Sequence, residues 1–142
     1  MTKQTIIMGL LALGLSFGSA NAYDLKTNML LLNAEFSEVQ QGFMSSNEEG
    51  VSNAIRRFAK DAQDLLGNKE KFADMLPKKK KHKAAEAVKA AQIIATNTQI
   101  IIDEIDNKYN HSEQSRRESA QRAFGYIQNA CFRCHNVVRD GD

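Results

Sequence analysis

Apolar residues recur at helical spacing along most of the chain, in four segments. Between residues 24 and 45 they advance by steps of four, three, four, three and four, which is the repeat of one face of an α-helix. This first stripe consists of Leu25, Met29, Leu32, Phe36, Val39 and Phe43. Similar stripes predict a second helix over about 51–66, a third over about 80–109, and a fourth from Ser112 to about Arg139.

The segments between the stripes carry signals that end helices. Ser, Asn and Gly cluster at residues 45–50, and Gly67-Asn68 follows the second stripe. The one long connection is residues 68–77, where a short helical turn is expected to pack on the helices. No segment alternates with period two, so no sheet is predicted. Four amphipathic helices with mostly short connections predict an all-α fold, an antiparallel up-down-up-down four-helix bundle.

The first 22 residues have the pattern of a secretory signal peptide. Lys3 precedes an uncharged apolar run over residues 6–17, and Ala20-Asn21-Ala22 is a small-residue cleavage site. An uncleaved anchor is the alternative, but the run is shorter than the roughly 20 residues that span a bilayer. No cysteine lies near the cut, which excludes a lipid anchor there. The sequence thus predicts export to the periplasm of one domain, residues 23–142, without a stable membrane anchor.

The charge of the chain suggests a binding surface at one place only. The formal net charge is +2, and +1 without Lys3, which gives no support for nucleic-acid binding. The run from Lys78 to Lys83 is the exception, since it holds five lysines and His82. Such a run can steer an acidic redox partner. The more ordinary interpretation is a solvated surface.

Both cysteines of the chain lie in one motif, Cys131-Phe132-Arg133-Cys134-His135. The C-x-x-C-H spacing is typical of c-type haem attachment, in which the thiols add to the two vinyl groups and the histidine is the proximal iron ligand. A disulfide would leave His135 unexplained, and a thioredoxin-like site would follow a strand. A zinc site would need further ligands, and neither of the other two histidines has metal spacing. The motif therefore predicts one covalently attached haem c.

Met29 is the candidate for the second axial ligand. In an antiparallel bundle the first helix begins where the fourth ends, which places Met29 and His135 about 10 Å from the same end. Met29 also lies on the inward stripe, although a methionine there is equally suited to fill the core. Position alone leaves both roles open. Arg139 has two interpretations as well, a partner for a haem propionate or a favourable charge at a helix C-terminus.

A helical, exported chain with C-x-x-C-H near its end resembles the class II c-type cytochromes, the cytochrome c-prime family. Arg139, one turn after His135, is similar to that family's basic residue after the haem motif. The opening pattern Asp24-Leu25-x-x-Asn28-Met29-x-x-Leu32-Asn33 resembles the related periplasmic four-helix-bundle b-type cytochromes, in which the methionine is an axial ligand. The resemblance therefore implies iron ligation by Met29 together with His135.

The resemblance divides into two functions. Members with His and Met ligands are electron-transfer proteins that exchange electrons with redox partner proteins, and this is the expected function here. Members with an open distal side bind nitric oxide or carbon monoxide, and Leu25 or Leu32 would then be the apolar distal cover. An enzymatic role such as a peroxidase lacks a distal acid–base pair, so no catalytic residue is predicted. Bundles of this family often pair through their first helix, so a homodimer stays open, although the outer faces show no clear apolar seam.

Overall fold

The structure is a computed structural model that describes residues 25–141. The predicted signal peptide, residues 1–22, lies outside the described residues. Within residues 25–141 all regular structure is helical, with no strand, and this confirms the predicted all-α class. No helix of this part of the chain combines the length and the hydropathy that crossing a bilayer requires.

Residues 25–141 form five α-helices and two short helical turns. The α-helices are α1 (Leu25–Met44), α2 (Glu48–Leu66), α3 (Lys69–Asp74), α4 (Ala85–Ile105) and α5 (Glu113–Cys134). A 3-10 turn, Lys78–Lys83, lies between α3 and α4, and a π-helical turn, His135–Arg139, follows α5.

The long helices pack around one apolar core. α4 packs along α5, α1 packs along α2, and α2 also packs along α4. Aromatic rings join α1 to α5: Phe36 stacks on Phe124 with centroids 4.3 Å apart, and Phe43 meets the same ring edge-on at 5.6 Å. The largest fully buried side chains are Phe58, Phe72, Ile55, Ile94, Ile101, Ile127, Val39 and Val51.

Side-chain caps decide where several helices begin. Asn47 Oδ1 accepts a hydrogen bond from the amide of Gly50 at 2.9 Å, so α2 starts three residues before the predicted Val51. Asn68 Oδ1 accepts from the amide of Lys71 at 2.8 Å and begins α3 inside the long connection. Ser112 Oγ accepts from the amide of Ser115 at 3.3 Å, which confirms Ser112 as the cap of the fourth long helix.

The predicted start of the third long helix at Lys80 was wrong. Lys78–Lys83 is a 3-10 turn after Pro77, and α4 begins at Ala85. The backbone hydrogen bonds of this segment span three residues: the amide of Lys80 donates to the carbonyl of Pro77 at 2.8 Å, and the amide of Ala84 donates to that of Lys81 at 3.2 Å. The predicted end at Tyr109 was also too late. α4 ends at Ile105 because Asn107 takes a left-handed conformation with φ 51°, which terminates helices.

The predicted extent of the fourth helix, to about Arg139, is confirmed, but its last five residues are not α-helical. α5 ends at Cys134, and His135–Arg139 continues it as a π-helical turn. The amide of Asp140 donates to the carbonyl of His135 at 3.0 Å, across five residues. Such turns are rare and are frequent at functional sites. Here the change of helix type coincides with the end of the C-x-x-C-H motif.

Candidate functional site

The C-x-x-C-H motif forms the last turn of α5 and the start of the π-helical turn. Cys131 and Cys134 are three residues apart, a spacing that places both thiols on one side of a helix. Cys134 is buried, Cys131 and His135 are half-buried, and neither cysteine is in a disulfide. The local fold therefore presents two free thiols and one imidazole along a single helix end.

Two adjoining cavities lie between this helix end and the first half of α1. Their volumes are about 650 Å³ and 400 Å³, within the range of about 300–1,000 Å³ that is typical of small-molecule and cofactor sites. We call the two cavities together the α1–α5 recess. The residues that line both of them are Met29, Asn33, Cys134, His135 and Arg139.

The remaining walls of the recess are mostly apolar. The larger cavity is closed by Leu25, Phe72, Leu76 and Val138, and the smaller one by Leu32, Phe36, Phe58, Leu66 and Ile94. Cys131 lines the smaller cavity. The structure thus gathers all five site residues predicted from the sequence, Met29, Cys131, Cys134, His135 and Arg139, around one recess.

Among the methionines of residues 25–141, Met29 alone lines the recess. It is half-buried on the wall that α1 supplies, whereas His135 is on the wall at the end of α5. Met44 is 83% exposed, and Met75 lines a separate cavity beside Asp61 and Leu65. Of these three methionines, Met29 is therefore the one that shares a cavity with the imidazole of His135.

The electrostatics of the motif argue against thiol redox chemistry. Burial, with smaller effects from Cys131 and Glu86, raises the pKa of the Cys134 thiol to about 11. Burial also raises the pKa of Cys131. Catalytic C-x-x-C thiols are activated by a lowered pKa, commonly at a helix N-terminus. These two thiols lie at a helix C-terminus and are protonated at neutral pH.

The imidazole of His135 is in the form that a metal binds. Burial lowers its pKa, and the positive charge of Arg139 lowers it further. A neutral imidazole at neutral pH offers a ring nitrogen as a ligand without first releasing a proton. Burial and the charge of Arg139 thus both lower the pKa of His135, as its predicted role as an iron ligand requires.

Arg139 lies at the edge of the recess, and its guanidinium is engaged by a neighbour. Its Nε and Nη2 donate to the two carboxylate oxygens of Asp140 at 2.6 and 2.7 Å. Lys26 and Lys80 line the larger cavity too. Lys80 Nζ donates to the backbone carbonyl of Arg139 at 2.5 Å and ties the 3-10 turn to the π-helical turn.

Lys26 and Lys80 are site residues that the sequence analysis missed. The basic run was a visible signal, but its distance from the haem motif depends on the path of the long connection, which periodicity does not give. Haem carries two propionate carboxylates, and ammonium groups at the edge of an apolar recess suit such charges. Three cations therefore lie where only Arg139 was predicted.

The residues of the recess fit a covalently attached haem. They provide two protonated thiols for the vinyl groups, a neutral imidazole, a thioether on a second helix, apolar walls and cations at the edge. This is the donor set of a cytochrome c with His and Met ligands. Within residues 25–141, no group of three or more His, Cys, Asp or Glu side chains is arranged to hold another metal ion.

Comparisons of the chain with protein-family models, with curated proteins and with solved structures found no match. The resemblance to the class II c-type cytochromes therefore stays a prediction, supported by the C-x-x-C-H motif and by the composition of the recess.

Proposed function

We propose that this protein is a periplasmic monohaem c-type cytochrome that transfers electrons. Cys131 and Cys134 hold the haem covalently, and His135 and Met29 are the axial ligands. One observation carries the proposal: Met29 and His135, which are 106 positions apart in the chain, line the same apolar recess, with both thiols of the motif beside His135.

The proposal includes an antiparallel up-down-up-down arrangement of the four long helices, α1, α2, α4 and α5. Two observations support it. Leu25, the first residue of α1, and Val138, just past α5, line one cavity. Further along the same two helices, Phe36 stacks on Phe124. Both are expected if α1 begins beside the end of α5 and runs back along it.

A haem bound in this recess supplies reversible one-electron chemistry. The chain's part is to hold the ligands and to exclude water. Cys131 and Cys134 would hold the haem through thioether bonds to its two vinyl groups. His135 and Met29 would be the two protein ligands of the iron, and a thioether ligand would raise the reduction potential relative to a second histidine. Phe36, Phe72 and Leu32 keep the recess apolar, which also tunes the potential.

A second candidate function is the binding of nitric oxide or carbon monoxide at an open distal side. Leu25 and Leu32 favour it, because they line the larger and the smaller cavity next to Met29 and would form an apolar cover. In that case Met29 is a packing residue. The two functions differ in one ligand and are therefore separable by spectroscopy.

The test is to produce the full chain in a bacterial host that attaches haem c. The expected product carries covalent haem that survives denaturing electrophoresis, and its spectrum is low-spin with the methionine-to-iron charge-transfer band. Met29→Ala is expected to give a high-spin protein that binds carbon monoxide. Met75→Ala is the matched control, since Met75 lines a separate cavity, and its spectrum is expected to stay low-spin.

Three outcomes would contradict parts of the proposal. A wild-type protein without covalent haem would refute it as a whole. A high-spin wild type that binds carbon monoxide readily would favour the second candidate. A low-spin spectrum that persists in Met29→Ala would show that another residue is the sixth ligand.

A further inference from the structure

We propose that the 3-10 turn Lys78–Lys83, at the edge of the α1–α5 recess, is the docking surface for an acidic redox protein. The inference rests on the proposed function and deepens it by naming the chemical class of the partner. The sequence alone left the run without a place relative to the haem motif. The structure puts it against the π-helical turn that begins with His135.

The periodicity of the turn decides which lysines face the site. In a 3-10 helix, residues three apart lie on the same side. Lys80 and Lys83 form one such pair, and both are half-buried. Lys80 lines the recess and bonds to the carbonyl of Arg139, while Lys83 Nζ lies beside Gly141. This side of the turn therefore attaches the run to the site, and the other two sides face solvent.

The solvent-facing sides carry two positive charges, those of Lys78 and Lys79, that the rest of the described chain does not neutralise. Lys81 pairs with Asp74 at 3.1 Å. Lys78 and Lys79 are exposed, and neither forms an ion pair with any residue of 25–141. The run contains five lysines and no acidic residue, although the whole chain carries a formal charge of only +2. Positive charge is thus concentrated beside the recess.

The composition of the turn favours a protein over a membrane as the partner. A segment that lies on a lipid surface inserts an apolar face. Residues 78–83 contain only lysine and histidine, and none of them is buried. Charge without an apolar face suits an acidic protein surface, which it attracts at long range and releases at physiological salt. One electron then passes from the reduced protein to the oxidised partner, with no bond made and no proton moved.

The experiment compares two holoproteins that have each lost two positive charges. Lys78→Gln/Lys79→Gln removes charge from the docking surface. Arg117→Gln/Arg122→Gln removes the same charge from exposed positions of α5, roughly 21 and 13 Å along the helix from Cys131. Neither pair includes a residue that lines the recess.

Two probes report on the surface at low ionic strength. Calorimetry measures the binding of poly-L-glutamate, and stopped-flow absorbance measures oxidation of the reduced protein by hexacyanoferrate(III), which accepts one electron. Loss of Lys78 and Lys79 is expected to weaken both the binding and the rate by about threefold to tenfold, and added salt should remove the difference. The α5 variant is expected to change by less than about twofold.

Equal effects in the two variants would overturn the proposal, because net charge would then explain them. No effect in the lysine variant would overturn it too. If that variant loses binding to phosphatidylglycerol vesicles but keeps its affinity for poly-L-glutamate, the surface is a membrane contact instead. Failure of the proposed function would look different: covalent haem would be missing from every sample, whereas the binding of poly-L-glutamate would still be measurable.

Discussion

Polar side chains have different surroundings at the two ends of the molecule. One end carries Asp103 and Arg116, and the other carries Cys134 and His135. At the first, which we call the far end, Asp103 accepts hydrogen bonds from Gln99, Lys108 and Tyr109 at 2.7, 3.0 and 2.9 Å. Arg116 Nη1 donates to the carbonyls of Glu104 and Ile105 at 3.0 and 3.3 Å, where α4 ends. Side chains there are used to terminate helices and to join them.

At the recess end the chemistry-bearing groups have few protein partners. The imidazole of His135 makes no side-chain hydrogen bond to any residue of 25–141, and neither thiol is in a disulfide. The residues around these groups are mostly apolar and offer the imidazole and the thiols few hydrogen-bond partners. The comparison teaches that one end of the fold uses its polar side chains to join helices, whereas His135 and the two thiols at the other end are left available for the role proposed for them.

The largest expected effect concerns the haem itself. Cys131→Ala/Cys134→Ala removes the two thiols through which the proposed haem would be attached, and we expect amides in the first half of α1 and in the π-helical turn to exchange at least about tenfold faster than in the wild type produced with haem. Amides of the far end should keep their protection, since their hydrogen bonds do not involve the recess. Hydrogen exchange read by mass spectrometry measures both regions at once. A uniform increase over the whole chain would show that the two ends are one cooperative unit.

Phe36 lines the recess and also packs on the core. Its truncation tests how much this part of the recess contributes to the stability of the fold. Its ring stacks on Phe124 and is 5.1 Å from the ring of Phe58. Phe36→Ala is expected to lower the free energy of unfolding by about 3 kcal/mol. Tyr126→Ala, an exposed aromatic on α5, is the control and should cost within about 0.5 kcal/mol. Equal costs in a urea titration would mean that the stack contributes nothing beyond an ordinary surface ring.

Arg116 tests the far end in the same way. Its side chain is 17% exposed and bonds to two carbonyls at the end of α4. Arg116→Ala is expected to cost about 2 kcal/mol of unfolding free energy, because a charged donor is lost and two carbonyls lose a partner. Arg117→Ala removes an exposed pair with Glu113 and should cost about 0.5 kcal/mol or less. Neither change should alter the haem spectrum, and an altered spectrum would refute the separation of the two ends.

The parts of the fold that depend on local pattern could be predicted from the sequence. The stripes gave the four long helices because an apolar face repeats every 3.6 residues wherever a helix packs. The 3-10 turn of Lys78–Lys83 and the π-helical turn of His135–Arg139 could not be obtained in this way. These two turns pack on each other, and Lys80 Nζ donates to the carbonyl of Arg139 between them. Tertiary contacts of this kind leave no periodic signal in the sequence.

The residues of the candidate site also differ in whether a local pattern reveals them. Cys131, Cys134 and His135 are adjacent in sequence, so their motif could be found without a fold. Met29 required an assumed helix order in addition to its place on a stripe. Lys80 could not be placed, because its contact with the recess depends on how residues 67–84 cross the end of the molecule. Lys26 lies on α1 beside the apolar stripe, and the pattern of the stripe does not mark it as a site residue. The sequence thus predicts chemistry that is local and misses charge that the connection brings in.

The smallest expected effect is an acid-dependent one at the far end. Hydrogen bonds from Gln99 and Lys108, with a further one from Tyr109, hold the pKa of Asp103 below its usual range. The folded state therefore favours the carboxylate, which stabilises the fold above the ordinary pKa of about 4 and loses this effect as the pH falls through the lowered value. Asp103→Asn should be less stable than the wild type at pH 7, and the two melting temperatures should converge as the pH falls through the lowered pKa of Asp103. Asp106→Asn, whose carboxylate is 3.9 Å from Arg56 and exposed, is the control and should follow the wild type throughout. If Asp103→Asn instead runs parallel to the wild type throughout the acid titration, the three hydrogen bonds do not depend on the charge of Asp103.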